Sequence, residues 1–423
     1  MKKFIYLLFL LLSIRMIELV NIGDFSLKII DIITIVLACI TFVFDTQHKK
    51  REEKANSIDI FLMLYIVYSL VNVFIAGDKT LAYSDFYRLI VSFLAYYVIT
   101  TNFRYSEFYE KVFIKASKVY ISGAIISIAY SIYIFYIKGL PEIKAFGLNA
   151  INSFNVRFTG LESDANTYCM YLMIALVMLV KLYEVKQISK KKFLFTITIM
   201  ILSIILTFSR SGLIMLVVYL VFFSSENLKL KLRVLTMAAI VFFILMFTNP
   251  YGFQDIMLGR LTNVFTTNSS QDVSIYLRKM YYNITVTEFK SSPIIGIGRG
   301  NFAEIGSQYF NLPEGANSQG VFYQVACELG IIGLFLFCSI LIITLIKLHK
   351  VAKIYKNSNY SWMSELDFSL IILYIISSLF GNFDSTREFW YILAIASSSI
   401  EYFYSNKFEQ RIVDEDVKLK ALE

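Results

Sequence analysis

Long, continuous apolar runs constrain this chain more than any other feature. Twelve of them recur along its 423 residues, at approximately 4–20, 27–44, 58–76, 86–103, 119–137, 166–183, 193–208, 211–224, 232–248, 321–346, 366–382 and 388–404. A bilayer's hydrocarbon core is about 30 Å thick, and a helix crosses it with roughly 20 apolar residues. No water satisfies backbone N–H and C=O groups inside lipid, so only helices or a closed barrel can span it. A barrel strand alternates apolar and polar residues, and these runs do not alternate. The expected fold is therefore all-α, a polytopic membrane helix bundle of about 12 transmembrane helices. Charged residues make up 17% of the chain, against roughly 25% in soluble domains. That excludes a soluble enzyme and a disordered chain. The runs at 193–208 and 211–224 are short, and only Ser209-Arg210-Ser211-Gly212 separates them. They read as a tight hairpin, or as two helices joined inside the bundle.

Lys and Arg set the expected orientation, because cytoplasmic loops are enriched in them. With the N-terminus inside, the inside segments hold 26 of the 40 basic residues, and every one of these segments is basic. Both termini are then cytoplasmic. The first run, after Met1-Lys2-Lys3, carries Arg15 and Glu18 and no small-residue cleavage site, so it reads as a retained span. Positive-inside loops account for the net charge of +8, so the expected surroundings are membrane lipid and not nucleic acid. The chain reads as a single integral membrane domain over 1–423 with two long external segments, 138–165 and 249–320. In the second, Val273, Leu277, Met280, Tyr281 and Ile284 form one stripe and predict a helix over 271–290, stopped by Pro293.

Function is expected where charge meets these external segments. Arg157, Arg210, Arg278, Arg299 and Arg387 all fall on the outer side. Arg210 is the most unusual, since it lies between two apolar runs and a charge at that depth is costly. Guanidinium keeps its charge and binds phosphate with paired hydrogen bonds, although an ion-paired or snorkelling arginine needs no ligand. Residues 293–302, Pro-Ile-Ile-Gly-Ile-Gly-Arg-Gly-Asn-Phe, look like a dinucleotide fingerprint but lack the flanking strand and βαβ unit. Such a turn either presents N–H groups to an anion or folds the loop back on the bundle. Glu328 stands inside an apolar run, where a buried, partnered acid is the simpler reading. Glu162, Asp164, Glu304 and Glu314 are external acids that can serve as general bases. The four cysteines show no metal spacing, so no metal and no cofactor are expected.

The order of these motifs resembles the O-antigen polymerase and O-antigen ligase superfamily. Its residues here are Arg157-Phe-Thr-Gly160 with Asn166, then Ser209-Arg210-Ser211-Gly212, Arg278, Pro293 to Phe302 with Arg299 and Asn301, and Glu328-Leu-Gly330-Ile-Ile-Gly333. The resemblance covers roughly 150–340. Many members, ligases especially, carry a His-Asn pair before the tenth span. Alignment on Glu328 puts Gln319-Gly320 there, and both histidines of this chain, His48 and His349, fall on the cytoplasmic side. That departure favours a polymerase over a ligase.

The resemblance implies a glycosyltransferase at the outer face of the cytoplasmic membrane. Its donor and acceptor would be undecaprenyl-pyrophosphate-linked glycans, joined as repeat units into a surface polysaccharide without metal or nucleotide sugar. A chain-length regulator is a possible partner. Arg210 and Arg278 are the expected leaving-group stabilisers, assisted by Arg157, with Arg299 and Asn301 as further substrate-binding candidates. Glu314 is the candidate base and Gln319 an orienting group. The alternatives are an O-antigen ligase and a lipid-linked sugar flippase. A flippase tends to show two related halves and short loops, which this chain does not.

Overall fold

A computed structural model describes residues 2–14, 18–22, 25–48, 56–104, 106, 109–134, 148–152, 155–162, 164–224, 227–249, 253–254, 257–258, 273–302, 304–305, 320–356, 358, 360–381 and 386–405. Thirteen α-helices lie among the described residues. They are α1 (Lys2–Leu11), α2 (Ile29–His48), α3 (Ser57–Val73), α4 (Lys79–Arg104), α5 (Tyr109–Tyr133), α6 (Ala165–Glu184) and α7 (Lys190–Leu206). Next come α8 (Arg210–Val218), α9 (Leu228–Thr248), α10 (Val273–Ser291), α11 (Val321–Ile354), α12 (Ser361–Ser378) and α13 (Arg387–Phe403). Twelve of them coincide with the twelve apolar runs. The thirteenth, α10, is the helix expected in the late external segment. Parts of α2, α5, α6, α9 and α11 are long and apolar enough to cross a membrane. The protein is an all-α polytopic membrane bundle.

Two short antiparallel hairpins interrupt the helices. β1 (Glu18–Ile22) pairs with β2 (Phe25–Lys28), and β3 (Leu148–Asn152) pairs with β4 (Asn155–Phe158). The first corrects the run expected over 4–20. Its α-helix ends at Leu11, a 3-10 turn follows over Leu12–Ile14, and a strand begins at Glu18. Gly23-Asp24 joins the paired residues Ile22 and Phe25, and a two-residue Gly-Asp link favours a hairpin.

Burial sorts the helices. α6 is the central one, with 89% of its apolar stretch buried, whereas α9 lies at the periphery with 17%. Phe243 and Phe247 of α9 are among the most exposed apolar side chains, as expected of rings that face lipid. α13 is buried along nearly its whole length and packs on α4, α11 and α12. Ion pairs tie helix ends that lie side by side. Arg104 of α4 meets Glu401 of α13 at 3.1 Å, Lys181 of α6 meets Glu365 of α12 at 2.8 Å, and Arg387 of α13 pairs with Asp31 of α2. Arg387, one of the arginines expected on the outer side, thus anchors two helices. Cys169 and Cys327 are buried, Cys338 is half-buried and Cys39 is exposed.

Candidate functional site

The bundle's regularity breaks between α7 and α8. Thr207, Phe208 and Ser209 make the whole connection, so the two short runs are two helices joined by a tight turn. Phe208 takes a left-handed conformation at φ 50°, which is unusual for a bulky residue and marks a forced reversal. Ser209 caps α8, its Oγ accepting from the N–H of Gly212 at 3.1 Å. The same hydroxyl donates to Asn166 Oδ1 at 2.9 Å and lies 3.0 Å from Ser211 Oγ. A Cβ on Gly212 would stand 2.1 Å from Cys169 Sγ, so α6 and α8 approach this closely only because the residue is glycine.

α6 starts at the same place. Asp164 caps it, accepting from the N–H groups of Asn166 at 2.8 Å and Thr167 at 3.0 Å. Arg157 reaches in from β4. Its Nε donates to the Thr207 carbonyl at 2.7 Å, and its Nη2 donates to Asn166 Oδ1 at 3.2 Å. One amide oxygen, that of Asn166, therefore ties β4, α6 and α8 together. Arg210 is the first residue of α8 and is half-buried and engaged. It acts electrostatically on Arg157. Burial pushes the Arg157 guanidinium below its ordinary pKa, Asp164 opposes that shift, and Arg210 adds to it. Among the described residues, Arg157 Nη1 bonds to nothing. Two arginines, the Asp164 carboxylate and two capped helix N-termini thus share one junction.

Arg278 belongs to a different cleft. It lines a cavity of about 170 Å³ with Tyr282 and Thr285 of α10, Tyr323 of α11, and Leu379 and Phe380 beyond α12. The two tyrosine rings meet edge to face, at 90° and 5.7 Å between centroids. The stripe expected on α10 is partly visible. Tyr281 and Ile284 are buried with Phe302 and Cys327, and the side chains of Val273 and Leu277 lie outside the described residues.

The Gly-rich turn folds back on the bundle. Two of its N–H groups bond to α11: Ile297 donates to the Cys327 carbonyl and Gly298 to that of Glu328, each at 3.0 Å. In return Ile331 donates to the Pro293 carbonyl at 2.9 Å. These bonds replace helical ones lost at Gly330, whose φ of 64° and ψ of −167° break α11. A Cβ on Gly330 would stand 2.2 Å from the Ile294 carbonyl oxygen, and one on Gly296 would stand 2.2 Å from that of Glu328. The two glycine motifs are one backbone clasp.

Arg299 and Asn301 serve that clasp, and the geometry gives them a different task from the expected substrate contact. Arg299 is 1% exposed, its Nε 2.8 Å from Asp85 Oδ2 and its Nη1 3.4 Å from Tyr65 and Ser69 hydroxyls. Asn301 Oδ1 accepts from the N–H of Gly77 at 3.1 Å and of Asp78 at 3.3 Å. Burial and these partners turn both residues toward α3 and α4. Glu328 is buried and accepts from Gln324 Nε2 at 3.1 Å. Glu314 and Gln319 lie outside the described residues. Sequence reasoning missed Asp85, though it stands just before the fourth apolar run. It also missed the Thr207 carbonyl, a backbone group that no motif can encode.

Residues 195–338 match the family model described as O-antigen ligase. The match spans about a third of the chain, from α7 into α11, and holds the α7–α8 turn with Arg210, Arg278 and the clasp, but neither Arg157 nor Asn166. It is consistent with the polymerase and ligase superfamily, a class of membrane glycosyltransferase-like enzymes. No curated protein matches the chain.

Proposed function

We propose that the protein polymerises lipid-pyrophosphate-linked oligosaccharide repeat units at the outer face of the cytoplasmic membrane. The observation that carries this reading is the junction of Arg157, Asn166, Ser209 and Arg210. It offers two guanidiniums and two helix N-termini at one end of the bundle, which the positive-inside count assigns to the outer face, and these are features that suit a pyrophosphate leaving group. In the reaction, a hydroxyl of the acceptor's terminal sugar attacks the donor's anomeric carbon. The bond to the lipid pyrophosphate breaks, its electron pair leaves with the phosphate oxygen, and the hydroxyl proton passes to a base. Inversion at that carbon follows from a single displacement. The charge that develops on the leaving oxygen is met by Arg157 and Arg210, already fixed in place, so little reorganisation is needed. Arg278 opens into a separate cleft with two tyrosine walls, where a sugar ring of the glycan can stack. Glu314 is the proposed base and Gln319 the orienting amide.

The test is incorporation by the purified protein in lipid nanodiscs, given lipid-linked repeat units alone. Polymer forms under the proposal; a strict need for added nucleotide sugar would remove it. The description of the matching family favours a second reading, transfer of finished glycan to a lipid core. A deletion strain separates the two. Loss of a polymerase leaves single capped repeats, and loss of a ligase leaves bare core.

A further inference from the structure

A second polar site lies at the other end of α6, and the proposed reaction does not use it. Lys181 follows Asn166 by fifteen residues, about 22 Å along the helix. It is 2% exposed and is held by Glu365 at 2.8 Å and Glu184 at 3.0 Å. It forms one wall of a cavity of about 500 Å³, whose other walls include Lys231 of α9, His349 of α11, Glu365 of α12, and Phe222 and Phe223.

Three features of these walls point to one kind of ligand. Phe222 and Phe223 belong to a π-helical segment, Tyr219–Phe223, that widens the end of α8. Single π turns inside helices are rare and frequent at functional sites. Phe222 is 70% exposed, so an apolar lip stands beside the charges. Second, α9 begins with Lys229, Lys231 and Arg233 and has no acid in its first turn. Cations at a helix N-terminus oppose the macrodipole, and an anion beside Lys231 relieves that opposition. Third, among the described residues the two carboxylates here, Glu365 and Glu184, both turn to Lys181, while Lys231 and His349 line the cavity away from that ion pair.

We infer that this cavity binds the headgroup of an anionic phospholipid. The phosphate sits against Lys231, since Asn227 Oδ1 already accepts from the first-turn N–H groups of Lys229 and Leu230, and the acyl chains run over Phe222 and Phe223. A soluble anion would leave the apolar lip unused, and a zwitterionic lipid would bring its own cation to the lysines. The positive-inside count places this end on the cytoplasmic side, where basic pockets between transmembrane helices take anionic headgroups. The inference stands apart from the polymerase reading, since it uses none of the junction's residues.

The test uses the full chain purified in detergent. Its thermal unfolding is followed with added phosphatidylglycerol, phosphatidylcholine or inorganic phosphate. Phosphatidylglycerol raises the midpoint, because a ligand that binds only the folded state stabilises it, and phosphatidylcholine does not. Lys231→Gln, a half-exposed change outside the Lys181 ion pairs, leaves the lipid-free midpoint in place. It weakens the apparent affinity for phosphatidylglycerol at least tenfold. Equal midpoint shifts from the two lipids, or an undiminished response in Lys231→Gln, would overturn the inference. So would inorganic phosphate alone matching phosphatidylglycerol, which would make this a soluble-anion site.

Discussion

Two regions of this molecule look alike in sequence and differ in what they do. Ser209-Arg210-Ser211-Gly212 and Gly298-Arg299-Gly300-Asn301 each set an arginine among small residues, the first between two apolar runs and the second within the long 249–320 segment. In the clasp, Arg299 is sealed against Asp85, and the turn's N–H groups close on α11 carbonyls. At the junction, Arg157 hydrogen-bonds to two neutral oxygens, those of Thr207 and Asn166, with the Asp164 carboxylate acting on it only through space, and Arg210 stands half-buried beside it. A guanidinium neutralised by a buried carboxylate has no net attraction left for a phosphate. One positioned by neutral acceptors keeps its charge for a ligand. The difference lies in the partner contributed by a remote part of the chain.

Removing each arginine tests this contrast, and the largest effect is expected at the clasp. Arg299→Ala strands Asp85 in the interior, and breaking a buried pair by deleting one partner costs about 3–5 kcal/mol. The expected outcome is loss of the folded monodisperse protein on detergent extraction. The double variant Asp85→Asn, Arg299→Gln removes both charges and recovers part of the folded fraction. Equal losses from the single and double variants would mean that Arg299 does not act through Asp85.

At the junction the loss falls on rate and not on folding. Arg157→Ala and Arg210→Ala each lower polymer formation about 10²–10³-fold, the cost of losing one fixed donor to a developing oxyanion. Yield and unfolding midpoint stay near those of the parent. Lys at either position rescues poorly, because a point charge does not reproduce the planar fork. Near-normal polymer from Arg210→Ala at normal expression would take it out of the mechanism. A third variant sharpens the contrast from the glycine side. Gly212→Ala pushes a methyl group into Cys169 Sγ, and overpacking of this kind costs about 1–3 kcal/mol. The double variant with Cys169→Ser does not relieve the clash, whereas Cys169→Gly does. Unfolding midpoints of the three variants decide it.

Much of the fold was legible because its signal is local. A run of apolar residues reports its own helix, and all twelve runs hold one. Helix α10 was legible for the same reason, since its stripe repeats at helical spacing. The failures are equally physical. The first run carries Arg15 and Glu18 among its apolar residues, and its last residues, from Glu18, pair as a strand with Phe25–Lys28. For Arg299 and Asn301 a motif shows the side chain and hides the partners it reaches. Asp85 and Gly77 are more than two hundred residues away in sequence. The junction's convergence was hidden in the same way, since Asn166 and Ser209 share a hydrogen bond across 43 residues.

The smallest effect separates charge from scaffold within the junction itself. Ser209 caps α8 and donates to Asn166 Oδ1, the oxygen that also holds Arg157. Ser209→Ala removes the cap, which costs about 1 kcal/mol of stability, and leaves both arginines in place. Ser209→Asp keeps a good cap, because Asp ranks with Ser at that position, but sets a carboxylate beside both guanidiniums. If the junction is only a folding device, the Asp variant is at least as active as the Ala variant. If the junction binds a pyrophosphate, the order reverses. The new carboxylate then pairs with the arginines as Asp85 pairs with Arg299, and it repels the anion they are meant to hold. The expected outcome is a modest loss of polymer with Ala and a larger one with Asp, while the unfolding midpoints rank in the opposite sense. Measured together, activity and midpoint must move in opposite directions across this pair, and parallel movement would mean that the junction is built for folding alone.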